Sequence, residues 1–195
     1  MRIMNIVVVH NLKVLVLSGS MGSGKTTVLG EASDLLGAAE ILHAAIDLDT
    51  LASGHLPAAA SDDLLIRNLA AVWNNYAAAG ITRLLLSEVL DTAAKREQLR
   101  QTIPGAEIVV CRLRANLDTM QQRIRLREPG MLQEQFVARI VELEASLDAG
   151  RVEDFSVQND GQSITMVARE VLVRAGWLSV TGVNDVGRAS VRHHE

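Results

Sequence analysis

The chain has 195 residues, 48% of them hydrophobic and 22% charged, which excludes a disordered polymer and suits one domain with a substantial core. A net charge of -4 gives no electrostatic ground for nucleic acid or an anionic membrane as partner. No stretch approaches the ~20 apolar residues of a membrane span, and the apolar run Ile6 to Val9 is shorter than a signal-peptide core, so the expected address is cytoplasmic.

Short apolar runs alternate with longer amphipathic stretches, the pattern of parallel strands crossed over by helices. The first strand is expected over Val14 to Leu17, followed by a helix from Lys25 to about Leu36 that Gly37 stops. A second strand, Ile41 to Ile46, leads through a loop with Gly54 and Pro57 to a helix that starts at Ser61-Asp62-Asp63 and ends at Ala79. Leu65, Leu69, Val72, Trp73 and Tyr76 recur along it at helical spacing. The third strand is Ile81 to Leu86, and a polar, charged helix covers Thr92 to Gln101. The fourth strand, Glu107 to Leu113, precedes two helices, Leu117 to Arg127 and Leu132 to Leu147, broken by Pro129-Gly130. A fifth strand, Asp154 to Val157, and a last helix, Ile164 to Ala175, complete a domain expected to span residues 1–177. Residues 178–195 lack a clear period and read as a flexible C-terminal tail.

The single cysteine, Cys111, can form no internal disulfide. Its place after Ile108-Val109-Val110 predicts a buried, inert thiol. His43, inside the second strand, reads as a hydrogen-bonded buried histidine, and His193 and His194 as part of a solvated terminus.

Gly19-Ser20-Met21-Gly22-Ser23-Gly24-Lys25-Thr26 matches G-x-x-x-x-G-K-[ST] in full, between a strand and a helix, with Thr27 following. Glycines let the backbone curl so that its N–H groups face phosphate oxygens, and the new helix adds its positive N-terminal end. Lys25 is expected to reach the β- and γ-phosphates, and the Thr26 hydroxyl to ligate Mg²⁺. The loop therefore predicts binding of ATP with Mg²⁺.

With this loop, its small size, one domain and the carboxylate pair Asp47 and Asp49 after the second strand, the sequence resembles the small P-loop kinases of the nucleoside-monophosphate-kinase type. Shikimate, gluconate and adenylylsulfate kinases are relatives of that type. The resemblance covers roughly Leu12 to Trp177. It implies an α/β, three-layer P-loop NTPase fold whose five-stranded parallel sheet is ordered 2-3-1-4-5. It also implies an ATP- and Mg²⁺-dependent transfer of the γ-phosphate to a small-molecule acceptor, and an arginine-bearing lid. A nucleotide-binding protein or ATPase without phosphotransfer, such as a resistance factor or regulator, is the alternative, and a partner-dependent switch is a third. The guanine signature N-K-x-D is absent.

Ile46-Asp47-Leu48-Asp49 places two carboxylates where ligands bind in open α/β sheets. Alternation would turn both the same way if the strand continued through them. By resemblance, Asp47 holds Mg²⁺ through water or serves as the base, and Asp49 hydrogen-bonds the acceptor; a solvated turn or helix cap is the bland reading. Leu84-Leu85-Leu86-Ser87-Glu88 is roughly a Walker B pattern, with Glu88 either a magnesium contact or a surface glutamate. Arg123 and Arg127 lie four apart before Glu128-Pro129-Gly130 and share a helix face, while Arg125 points elsewhere. The resemblance assigns Arg123 to the adenine and Arg127 to phosphate, as suits a planar guanidinium; the alternative is a solvated basic helix. Asn159, in Asn159-Asp160-Gly161 after the fifth strand, either borders the adenine or forms an ordinary turn. Candidates for the acceptor pocket are His55, Arg67, Asn68, Trp73 and Asn75; Arg67 either binds an anionic acceptor or lies on an exposed helix face, and a tryptophan such as Trp73 more often serves the core. The acceptor's identity and the oligomeric state carry no signal in the sequence.

Overall fold

A computed structural model of the chain describes residues 11–54 and 58–179. The expectations for His55, for the two terminal histidines and for nearly all of the tail lie outside these residues. Five strands, β1 (Lys13–Ser18), β2 (Ala44–Asp47), β3 (Arg83–Ser87), β4 (Glu107–Arg114) and β5 (Phe155–Gln158), form one parallel sheet in the order β2-β3-β1-β4-β5. The helices are α1 (Lys25–Ala38), α2 (Ala58–Ala78), α3 (Ala93–Thr102), α4 (Leu117–Arg127), α5 (Gln133–Gly150) and α6 (Ile164–Arg174).

Strand alternation builds both faces of the sheet. Val14, Val16, Leu84, Leu86, Ile108 and Val110 point to one side, where Leu69 and Trp73 of α2 and Leu99 of α3 cover them. Leu15, Leu17, Leu85, Cys111 and Leu113 point to the other, against Val28 and Leu36 of α1 and Val167 and Val171 of α6. Strands buried on both faces read as continuous apolar runs, which is why β1, β3 and β4 were visible in the sequence. Trp177 closes the second cluster, 5% exposed, with its backbone N–H donated to the Leu172 carbonyl. Met120 and Ile124 of α4 pack on Val137 and Ile140 of α5 as a third, smaller cluster. Cys111 is fully buried, and desolvation pushes its thiol up to about 12, so the thiolate is suppressed at neutral pH.

The second strand departs from expectation. It begins at Ala44 rather than Ile41, because the Ile41 N–H caps α1 through the Leu36 carbonyl. His43 therefore stands before the strand, half-buried, its ring held between Ser33 Oγ and the Ile41 carbonyl at 2.8 Å each. The strand also ends at Asp47, and Leu48–Thr50 turn into a 3-10 helix. Asp47 caps that turn by accepting from the Asp49 N–H, and Thr50 Oγ1 donates to the Asp47 carbonyl at 2.6 Å. Strand alternation thus does not govern the Asp47–Asp49 pair.

One side chain inside the sheet carried no sequence expectation. Arg112 of β4 is 0% exposed and donates to Glu144 at 2.8 Å and Asp148 at 2.7 Å, both on α5, with Glu153 3.6 Å away. Three carboxylates around one guanidinium satisfy a charge that burial alone would penalise heavily.

Candidate phosphate-binding and acceptor site

Register brings the carboxyl ends of the central strands together. Leu17 of β1 and Asp47 of β2 both pair with Ser87 of β3, so the loop after β1, the Asp47 carboxylate and the residues after Ser87 converge at one edge. Residues 19–24 wrap into a loop that ends at the N-terminus of α1, with Gly24 in the left-handed region at φ 96°. The loop is seated with little space around it. A Cβ on Gly22, whose φ is 75°, would meet the Met120 carbonyl oxygen at 2.5 Å, and one on Gly24 would strike the Asn159 amide. Only glycine fits there.

Two more bonds tie the loop to the α4–α5 pair: Ser20 Oγ donates to the Ile140 carbonyl at 3.2 Å, and Arg123 Nη1 to the Gly22 carbonyl at 3.1 Å. Arg123 Nη2 also donates to the Asn159 carbonyl at 2.9 Å, while Asn159 Nδ2 donates to the Ser23 carbonyl at 2.7 Å. Arg123 and Asn159 therefore clamp the phosphate loop from the side of β5. Asn159 is 4% exposed; its amide is committed to the loop's backbone.

Lys25 Nζ lies back over the loop, donating to the carbonyls of Gly19 at 3.0 Å and Ser20 at 3.3 Å. Burial holds its pKa below the ordinary lysine value, opposed by the charges of Asp49, Glu88 and Asp47 and assisted by Arg127. Thr26 Oγ1 donates to Asp47 Oδ2 at 2.7 Å, and Asp47 Oδ1 accepts from the Asp49 N–H at 3.3 Å. A cavity of about 310 Å³ opens over the loop. Its walls are Met21, Gly22 and Gly24 to Thr27 on one side, with Asp49, Arg123, Ile124 and Arg127 facing them. Arg123 and Arg127 share this wall as their four-residue spacing requires, whereas Arg125 is not among its residues. Arg127 Nε is paired with Glu128 at 2.9 Å.

A second cavity, about 230 Å³, lies between the 3-10 turn, α2, the end of β3 and α3. Leu48, Leu65, Ile66, Leu69, Leu90 and Leu99 make its apolar wall, and Asp49, Glu88, Lys95 and Gln98 are its polar residues. Glu88 is not the surface glutamate considered from the sequence. Burial raises its pKa, a hydrogen bond from the Val89 N–H opposes the rise, and it faces Asp49, Lys95 and Lys25. Asp49 lines both cavities.

Arg67 does not belong to either cavity. It sits on the exposed face of α2, its guanidinium 3.5 Å from Asp63 one turn earlier, so the acceptor-binding role expected of it is not supported by its position. Asn68 Nδ2 donates to the Leu51 carbonyl at 2.6 Å and anchors the turn after Asp49. Trp73 is core, at 5% exposure, and Asn75 is exposed. Of the residues that wall the second cavity, Asp49 and Glu88 were named as candidates from the sequence, but the rest were not: Leu65 and Leu69 look like any core stripe, and Lys95 and Gln98 like any solvated face. Asn159 pairing with a carbonyl 136 positions away had no sequence signal at all.

The donor set fits a triphosphate with Mg²⁺. The glycine cradle admits backbone N–H groups close to an anion, the buried Ser23 hydroxyl has no hydrogen-bond partner among the described residues, and Thr26 and Asp47 set oxygens side by side. Among the described residues no group of three or more His, Cys, Asp or Glu could hold a metal without such help, so phosphate oxygens and water would complete the shell.

No family model matches the chain, and no curated protein matches it. Solved structures do. A gluconokinase from Sinorhizobium meliloti 1021 superposes with a TM-score of 0.57 at 20% identity, over 86% of this chain and 94% of that one. A shikimate kinase from Acinetobacter baumannii, in complex with shikimate, gives 0.54 at 19% identity over 85% and 93%. The APS kinase of Mycobacterium tuberculosis, in complex with AMPPNP and APS, gives 0.53 at 20% identity over 84% and 97%. The chain has the fold of these small P-loop kinases.

Proposed function

We propose that this protein is a kinase that uses ATP and Mg²⁺ to phosphorylate a hydroxyl of a small molecule. The observation that carries the reading is the position of Asp49, shared between the cavity over the phosphate loop and the apolar cavity beside it. A carboxylate on that boundary stands where a hydroxyl from one side would meet a phosphoryl group from the other. The fold's occurrence in kinases of small molecules, one of them solved with both a nucleotide analogue and its partner substrate, supports the same reading.

The residues divide the work as follows. Loop amides and the α1 N-terminus bind the triphosphate. Arg123 holds the loop against β5 and offers its face to the base. Mg²⁺, when bound, would be held by the Thr26 hydroxyl and by Asp47, and neutralises charge on the phosphate oxygens. Lys25 leaves the loop carbonyls for the β- and γ-phosphates, and Arg127 exchanges Glu128 for the transferring group. The acceptor oxygen bonds to the γ-phosphorus as the bond from that phosphorus to the bridging oxygen breaks. The acceptor's proton passes to the Asp49 carboxylate and then to water, and ADP leaves. Preorganised cations facing the growing negative charge supply most of the acceleration in such a transfer.

Calorimetry and thermal shift with Mg–ATP test the nucleotide half. Binding is expected in the wild type and lost in Lys25→Ala, which keeps its fold; no heat at millimolar nucleotide would sink the assignment. A screen of metabolites and antibiotics with ADP release as readout tests the transfer half. Slow hydrolysis that no acceptor stimulates would leave a nucleotide-binding protein instead.

A further inference from the structure

We propose that the acceptor is a largely hydrocarbon alcohol without an anionic group, held in the 230 Å³ cavity with its hydroxyl at Asp49; this rests on the kinase reading above. Six of the ten described lining residues are leucine or isoleucine, so the site gains binding from displaced water over apolar surface rather than from a polar cage.

The charged groups around it point the same way. Two of the four polar residues in the described lining are the carboxylates Asp49 and Glu88. Lys95, the one cation among the described lining residues, is already engaged, its ammonium 2.8 Å from Asp91 Oδ1 and 3.3 Å from the Val89 carbonyl. Guanidinium groups on the two flanking helices are committed elsewhere. Arg67 faces Asp63, and Arg100 is 3.5 Å from Glu97. Arg96 donates to the carbonyls of Val152 and Ile108 and to Asp154, under α3. Among the described residues no arginine lines the cavity. A carboxylate, phosphate or sulfate placed there would face two like charges with no bidentate partner among the described residues, the arrangement that binding sites use to reject a ligand. Burial already raises the Glu88 pKa, and another negative charge beside it would have to draw in a proton.

Matched cyclohexanols differing in one substituent separate the cases: 4-methylcyclohexanol and 4-hydroxycyclohexanecarboxylate, titrated by calorimetry into the full chain with Mg–AMPPNP. The methyl compound is expected to bind at least about tenfold more tightly than the carboxylate. Gln98→Arg, which adds a guanidinium to the wall, is expected to narrow that ratio. A carboxylate that binds the wild type as well as the methyl compound overturns the proposal, as does failure of both to bind a protein that holds AMPPNP. Identical affinities in Gln98→Arg and wild type also overturn it, by removing the cavity as the site. Failure to bind AMPPNP itself overturns the kinase reading instead.

Discussion

The Thr26 hydroxyl donates a 2.7 Å hydrogen bond to Asp47 Oδ2, joining the first turn of α1 to the last residue of β2. Asp47 spends its other oxygen on the Asp49 N–H. The two aspartates of Asp47-Leu48-Asp49 therefore differ in kind: Asp47 is bonded to Thr26 at the start of α1, and Asp49 lies between two cavities.

Asp47→Asn should retain nucleotide binding within about threefold and reduce phosphotransfer by about 100-fold or more, since it removes a charge from the metal side while keeping the turn's cap acceptor. Calorimetry and ADP release measure the two effects separately. Equal losses in both would mean that Asp47 supports the loop rather than the reaction.

Arg123 holds the Gly22 and Asn159 carbonyls with two nitrogens of one plane. A lysine ammonium lacks that fork. Arg123→Lys should therefore weaken AMPPNP binding by roughly tenfold, about 1.4 kcal/mol, despite its conserved charge. An unchanged affinity would show that charge alone, and not the clamp, is what the nucleotide feels.

Glu88 gives a pH signature. Burial raises its pKa above the ordinary 4.5 in the folded state. Between that value and the raised one the native protein keeps a proton that the unfolded chain has lost, so this group's contribution to stability declines as pH rises through the window. Glu88→Gln abolishes the decline. Urea denaturation should show the variant gaining on the wild type as pH rises above about 4.5; a difference that does not change with pH would contradict the assignment.

Arg112→Ala should destabilise the fold by about 3–5 kcal/mol, because it strands carboxylates arranged around a buried cation. The Arg112 hydrogen bond also holds the Asp148 pKa below its ordinary 3.8. A depressed folded pKa contributes stability above the unfolded value and loses it as pH falls through the folded one. The gap between wild type and Arg112→Ala should accordingly shrink in acid. Denaturation midpoints at neutral and acid pH measure it, and a loss below about 1 kcal/mol would class the network with ordinary surface pairs.

Local signals sufficed for much of this molecule. The phosphate loop was legible because its glycines, lysine and threonine are contiguous, and the strands because burial on both faces writes uninterrupted apolar runs. The ends of α2 and α4 followed from Gly80 and the Pro129-Gly130 break, whereas α1 runs through Gly37 to Ala38 and α2 begins at Ala58, ahead of Ser61; the sheet order came with the family resemblance. Three things were decided only by the folded chain. The end of β2 at Asp47 separated two aspartates that alternation would have paired, because the chain turns there into a 3-10 helix held by the Asp49 N–H and Thr50 hydroxyl bonds to Asp47. Arg112 vanished into the interior because α5 brings Glu144 and Asp148 to it from more than thirty residues away. The second cavity arose because the 3-10 turn, α2, β3 and α3 surround a gap; an apolar stripe has the same spacing whether it packs on a sheet or lines a cavity.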